Sequence, residues 1–296
     1  EKVKDVININ CDLNDVAHYN RTVFLPGDIG ETLDKLIQIF KKAPVEIDDD
    51  KKSWLNNCAE RKQEWYEFKM QRFNCPPIKD EAWKRLVLTQ PSAIKIVSDF
   101  ARKINAVKYF DAGDVQANGF QIVEDDSPYE TFTESGASYM GFSPSALAAS
   151  ALADQPQYGI SFCGDGSFMM NPQILIDSIE LGVKGMIVIF DNRRMGAITG
   201  LQEAQYGAGF KTNDSVEVDY VKMSDAVKGV KAYFGGESIS ELKSALEKAY
   251  KHQGLSVIHV PVYFGDNPLG GMGAYGSWNV GNWCESVQEK YQKQNL

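Results

Sequence analysis

From about residue 88 onward the sequence alternates short apolar runs with segments of helical period, and few architectures accept that pattern. Pro91 to Ile104 has helical spacing, with Thr89 or Ser92 as its cap, and Ala106 to Phe110 is a short apolar strand ending in Asp111-Ala-Gly-Asp. Gly141 to Ala153 is rich in small residues and reads as a helix. Gln157 to Cys163 is a strand running into Gly164-Asp165-Gly166. Asn171-Pro172 supplies a cap and a first-turn proline for a helix to about Leu181. Lys184 to Phe190 is a further strand, ending in Asp191-Asn192, and Val230 to Phe234, Ser240 to His252 and Ser256 to Val262 add strand, helix and strand. Strands apolar on both sides and separated by helices require a parallel sheet covered on both faces. The expected class is α/β, a doubly wound parallel sheet over residues 88–264, with ligands beyond the carboxyl ends of its strands.

The segments around that domain differ in character. Residues 1–43 read as a strand over Val3 to Ile9, a loop, and a helix with apolar positions at 29, 33, 36, 37 and 40. This piece is too small to bury a core of its own, and the tail of another domain is expected there. Residues 44–87 hold a charged helix between Pro44 and Cys75-Pro-Pro, with Trp54, Cys58, Trp65 and Phe68 near one stripe, as in a connector. Residues 265–296 form a glycine-rich arm carrying Trp278 and Trp283, read either as a flap over a site or as a surface arm pinned by the tryptophans.

Composition removes several function classes. The formal charge of −9 speaks against a nucleic-acid or anionic-membrane partner. Apolar runs such as Met186 to Phe190 fall far short of the ~20 residues that span a bilayer. The five cysteines form no C-x-x-C pair, so reduced, mostly buried thiols in a cytoplasmic protein are expected. The three histidines lack metal-ligand spacing.

The chemistry concentrates at three strand ends, Asp111-Ala-Gly-Asp, Gly164-Asp165-Gly166 and Asp191-Asn192, and the last two pair. Gly164-Asp165-Gly166-Ser167 lets the backbone approach a ligand and leaves N–H groups for a phosphate. A right-handed helix crossover brings successive strands to one rim, so Asp165 and Asn192 meet there, 27 residues apart. Neighbouring strands lie ~5 Å apart. A carboxylate and an amide oxygen there can share Mg2+, with the backbone carbonyl of Arg194 as a further ligand. A non-catalytic nucleotide-binding or regulatory α/β module, using Gly164 to Ser167 as a phosphate cradle, is the competing reading. It lacks a Walker lysine motif and a complete G-x-G-x-x-G.

The spacing resembles the thiamine-diphosphate motif, Gly-Asp-Gly followed some thirty residues later by Asn-Asn, with Asp191 in place of the first Asn. Ser138-Tyr139-Met140-Gly141 is similar to the Gly-x-Met-Gly segment of the acetolactate-synthase-like branch, which also takes in a trihydroxycyclohexane-1,2-dione hydrolase. The resemblance implies thiamine diphosphate and Mg2+ as cofactors. The metal ligands would be Asp165, Asn192 and Arg194, and the cofactor contacts Gln116, Ser138, Met140, Gly164, Asp165, Gly166, Ser167, Asn192 and Met195. Met140 would be the apolar wedge under the bent cofactor, and the Ser138 carbonyl would accept from its aminopyrimidine. Asp114 and Val115 depart from the family's Gln and His. A carboxylate beside a diphosphate is unfavourable unless turned away or neutralised.

The implied activity makes or breaks a C–C bond next to a carbonyl, by carboligation, decarboxylation or hydrolysis. Arg193, Arg194 and Gln202 are the substrate-side candidates. In this family the cofactor is activated by a glutamate of a separate pyrimidine-binding domain. Glu124, Glu130 and Glu134 all lie within the diphosphate-binding half. The chain is therefore expected to be the C-terminal half of a longer enzyme or a half-enzyme subunit, a homodimer or larger, and inactive alone.

Overall fold

Eight strands, all but one pair parallel, carry the second of the two units into which the chain divides, Glu1–Glu64 and Trp65–Leu296. The computed structural model describes residues 6–15, 22–44, 46–213 and 216–273. In the first unit β1 (Val6–Asn10) and β2 (Thr22–Pro26) pair in parallel, and α1 (Ile29–Lys42) follows. Asp28 caps α1 by accepting from the Glu31 N–H at 3.1 Å. The strand β2 was not legible, since Thr22-Val-Phe-Leu-Pro has no alternation and ends in proline. Helix α2 (Asp49–Phe73) begins in this unit and ends in the next.

The second unit continues with β3 (Ile78–Lys79), β4 (Leu86–Thr89), α3 (Gln90–Lys103), β5 (Val107–Phe110), α4 (Asp114–Ile122), β6 (Thr131–Thr133) and α5 (Phe142–Ser150). Then come β7 (Gly159–Gly164), α6 (Asp165–Phe168), α7 (Ile174–Glu180), β8 (Gly185–Asp191), α8 (Gly196–Tyr206) and α9 (Tyr220–Asp225). The series ends with β9 (Lys231–Phe234), α10 (Ile239–Lys251) and β10 (Leu255–Tyr263). The strand order is β3-β4-β10-β8-β7-β5-β6, with β9 also paired to β10, and only β3–β4 is antiparallel. The connector expected over 44–87 thus stops short, because residues 78–79 and 86–89 belong to the sheet.

Alternate residues of each central strand feed two cores. On one face Phe110, Ile160, Phe162, Val188, Phe190, Ile258 and Val260 pack under Ile94 and Val97 of α3 and Leu242 and Leu246 of α10. On the other, Val107, Cys163, Ile187, Ile189 and Val257 pack under Leu147 of α5 and Leu175 of α7. Each side chain so buried contributes about 1.5–3 kcal/mol relative to exposure. This is the doubly wound arrangement that the apolar strands implied.

Local details differ. Helix α7 starts at Ile174, later than the Asn171-Pro172 signal, because the Ile174 and Leu175 N–H groups first close tight turns onto the carbonyls of residues 171 and 172. The thiols are not mostly buried: Cys75 and Cys163 are, while Cys11 and Cys58, in polar or exposed segments, are open to solvent, and Cys284 lies outside the described residues. Trp278 and Trp283 of the arm also lie outside them. No helix among the described residues is long and apolar enough to cross a membrane.

Strands β7 and β8 start at facing glycines, Gly159 and Gly185, and need them. A Cβ on Gly185 would stand 2.6 Å from the Gly159 carbonyl oxygen, a backbone atom with no freedom to move aside. Gly185→Ala is expected to lower stability by about 1–3 kcal/mol, read as a reduced midpoint in urea unfolding. An unchanged midpoint would show that the two strands do not approach this closely.

Candidate active site

The ladder between β7 and β8 runs from Gly159 opposite Gly185 to Gly164 opposite Phe190, so the two strands end level. Asp165 therefore opens α6 at one strand tip and Asn192 leaves the adjacent tip, both about 3% exposed. A cavity of about 660 Å³ lies over these tips. Of the residues singled out in the sequence, Gln116, Ser138, Met140 and Gly164 line it, together with Asp165, Gly166, Arg194 and Met195. Ser167, in α6, and Asn192 lie buried outside its lining.

The residues present suit the group that the motif implies. A carboxylate, an amide oxygen and a backbone carbonyl are hard oxygen donors of the kind that hold Mg2+. Among the described residues no group of three or more His, Cys, Asp or Glu could hold a metal; the candidate set reaches three only with an amide and a carbonyl. Gly166 is a cradle that a side chain would fill, since a Cβ there would stand 3.0 Å from Met195 Sδ and 3.2 Å from Met140 Cε. The two methionines form an apolar bed around bare backbone.

Buried carboxylates hold this geometry. Asp111, fully buried at the end of β5, accepts from the N–H groups of Ala112 and Gly141 (both 2.9 Å) and Ser143 (2.8 Å). It thereby caps α5 and fixes the backbone next to Met140. Ser138 stands at φ 52°, in the left-handed region that suits the glycine of the related motif. Its Oγ donates to Gln116 Oε1 at 2.9 Å. Gln116 in turn donates from Nε2 to Thr133 Oγ1 (2.6 Å) and to the Glu134 carbonyl (2.9 Å). With both amide hydrogens committed, Gln116 holds the Ser138 turn and offers no further donor to the cavity.

Asp114 is engaged rather than loose. Its Oδ2 accepts from Gln90 Nε2 at 3.1 Å and Asn192 Nδ2 at 2.8 Å. Burial pushes its carboxyl above the usual range, against those hydrogen bonds. Asp191 explains its own departure from the Asn-Asn pattern: Oδ2 lies 2.8 Å from His259 Nε2, and Oδ1 accepts from the Arg193 N–H at 2.9 Å. The His259 ring sits among Trp83, Tyr220 and Phe234.

The substrate-side candidates separate. Arg193 turns to Trp83 and the Ala82 carbonyl, and Gln202 accepts from the Phe210 N–H at 2.7 Å; neither lines the cavity. Arg194 does, its guanidinium 5.0 Å over the Phe264 ring. The roles of Asp111, Gln90, Asn118 and His259 were missed. Asp111 and Gln90 each follow the carboxyl end of an apolar strand, whereas Asn118 lies within α4 and His259 within β10, where no such signal marks them.

These supports have two measurable effects. Asp111→Ala strands three buried N–H groups and is expected to cost on the order of 3 kcal/mol, measured by denaturant unfolding. Glu134 is held below the usual carboxylate range by the N–H groups of Ala137, Gly136, Ser138 and Tyr139. Its cap is fully present above the ordinary value of about 4.5 and is lost as pH falls through the lowered one. Once the intrinsic pH dependence of exchange is removed, protection of the Ala137 amide should hold at pH 5 and fall only in more acid solution. Loss already at neutral pH would contradict the cap.

Comparison with known proteins agrees with this geometry. A model of the thiamine pyrophosphate enzyme C-terminal TPP binding domain matches residues 111–260. The 3D-(3,5/4)-trihydroxycyclohexane-1,2-dione hydrolase of Bacillus subtilis is 32% identical over 62% of this chain and 29% of its own length. The protein of the same name from Halalkalibacterium halodurans is 28% identical over 99% of this chain and 48% of its own. The chain thus spans less than half the length of these curated relatives. In fold it is similar to benzoylformate decarboxylase from Polynucleobacter necessarius, with a TM-score of 0.56 and 20% identity over 66% of this chain and 36% of that one. With its matched domain running from the end of β5 into β10, the chain belongs to the thiamine-pyrophosphate-dependent enzymes, through their C-terminal cofactor-binding domain.

Proposed function

We propose that this chain is the diphosphate- and Mg2+-binding half of an enzyme that makes or breaks a C–C bond next to a carbonyl. The observation that carries this is the level ending of β7 and β8, which sets Asp165 and Asn192 on adjacent tips. Asp165, the Asn192 amide oxygen and the Arg194 carbonyl would hold the metal. The backbone around Gly164, Gly166 and Ser167 would take the diphosphate, and Met140 and Met195 would exclude water beneath the cofactor. When bound, thiamine diphosphate supplies the nucleophilic carbon for chemistry at a carbonyl. Arg194, which borders the cavity, would take a substrate carboxylate, since a guanidinium forks onto two oxygens.

Within this reading the chemistry is acetolactate-synthase-like: 2-keto acid carboligation or decarboxylation, or C–C hydrolysis. The hydrolase names of the curated relatives favour the last. The activating glutamate would come from a pyrimidine-binding domain, in the same longer chain or a partner subunit. The working form would be a cytoplasmic homodimer or larger assembly.

Calorimetric titration of the chain with thiamine diphosphate, with and without Mg2+, tests the reading. Binding should require the metal and weaken about 100-fold or more in Asp165→Ala, beyond the 10–100-fold cost of losing an outer partner. No 2-keto acid should turn over until a pyrimidine-binding half is added. Metal-independent binding unaffected by D165A, or uptake of ATP or NAD instead, would favour the nucleotide-binding alternative.

A further inference from the structure

A side-chain amide has an accepting end and a donating end of nearly the same shape, and a half-turn exchanges them. Asn192 can serve a cation only with its oxygen, so something must fix which way its amide lies. The surrounding contacts settle this in one direction. The backbone N–H of Met272, beyond β10, can only donate, and its partner is Asn118 Oδ1 at 2.8 Å. That leaves Asn118 Nδ2 to donate to Gln90 Oε1. Gln90 then presents Nε2 to Asp114 Oδ2 at 3.1 Å, and the same oxygen accepts from Asn192 Nδ2 at 2.8 Å. The Asn192 oxygen is left on its far side, towards the Arg194 N–H at 3.0 Å.

We propose that Asp114, Gln90 and Asn118 form a positioning relay that orients the metal-binding amide of Asn192, anchored at the backbone of Met272. The proposal rests on the cofactor reading above. Asp114 Oδ2 can only accept and so takes Asn192 by its Nδ2; Gln90 and Asn118 hold that carboxylate in place, because turning either amide sets donor against donor and acceptor against acceptor. Gln90, Asn118 and Asn192 are all buried, so water cannot repair such a mismatch. The relay is tightly enclosed: a Cβ on Gly196 would stand 2.7 Å from Asp114 Oδ2 and 2.8 Å from Asn192 Nδ2. Its anchor is held independently, since Arg72 donates to the carbonyls of Gly271 (2.9 Å) and Pro268 (3.0 Å). Neither Gln90 nor Asn118 lines the cavity, so both act only through others.

The test measures the Mg2+ concentration that gives half-maximal thiamine diphosphate binding, together with melting of the cofactor-free chain and hydrogen exchange at the Met272 amide. Gln90→Met keeps the volume and removes both polar ends. It should raise the required Mg2+ about 10–100-fold, the cost typical of an outer-shell partner, while the chain stays folded. Asn118→Leu should repeat that shift and also speed exchange at Met272. Wild-type dependence in both Q90M and N118L, whatever their stability, overturns the relay and leaves the cofactor reading standing. A wild-type chain that binds no cofactor at any Mg2+ concentration overturns the cofactor reading, and the relay falls with it.

Discussion

The level, in-register pairing of β7 with β8 is the constraint on which the rest of the structure depends. Their ladder begins where Gly159 faces Gly185 and ends where Gly164 faces Phe190. A slip of one residue would turn Val188 and Phe190 out of one core and Ile187 and Ile189 out of the other, so burial on both faces pins the register. The residues just beyond each strand are then fixed in height. Asp165 starts a helix and Asn192 starts a turn at neighbouring points, and the cavity forms over them.

Around that rim the fold uses carboxylates as struts. Asp111 gathers the N–H groups of a helix start, Asp114 gathers two amides, and Asp191 gathers a turn and a histidine. Those hydrogen bonds leave the carboxylate charge in place, and the chain as a whole carries a formal charge of −9. In the proposed function the divalent cation offsets the repulsion between these carboxylates and the diphosphate, which is why the reading makes binding depend on it.

Much of this was legible in the sequence, for identifiable reasons. Strands buried on both sides, such as Met186 to Phe190, are continuous apolar runs, and helices such as α10 carry the 3.6-residue period. Helix α4 was hidden because it opens straight out of the strand end Asp111-Ala-Gly-Asp114, which reads as a loop, and its glycine and asparagine give no periodic stripe. The three-residue β6 and two-residue β3 are too short to carry any pattern. The tips holding Asp165 and Asn192 were found because spacing along the chain maps onto adjacency in a parallel sheet. The relay through Gln90 and Asn118 was not, since it joins two helices, the turn after β8 and a trailing segment, and nothing in the local sequence marks that meeting.

The contact between Asp191 and His259 ties two distant positions of the gene into one unit of change. Replacing the histidine alone would strand a carboxylate at a site about 2% exposed, and restoring an amide at 191 alone would alter what the ring pairs with amid three aromatic neighbours. Either single step leaves a buried polar group short of a partner, so the two positions are energetically coupled across 68 residues of chain.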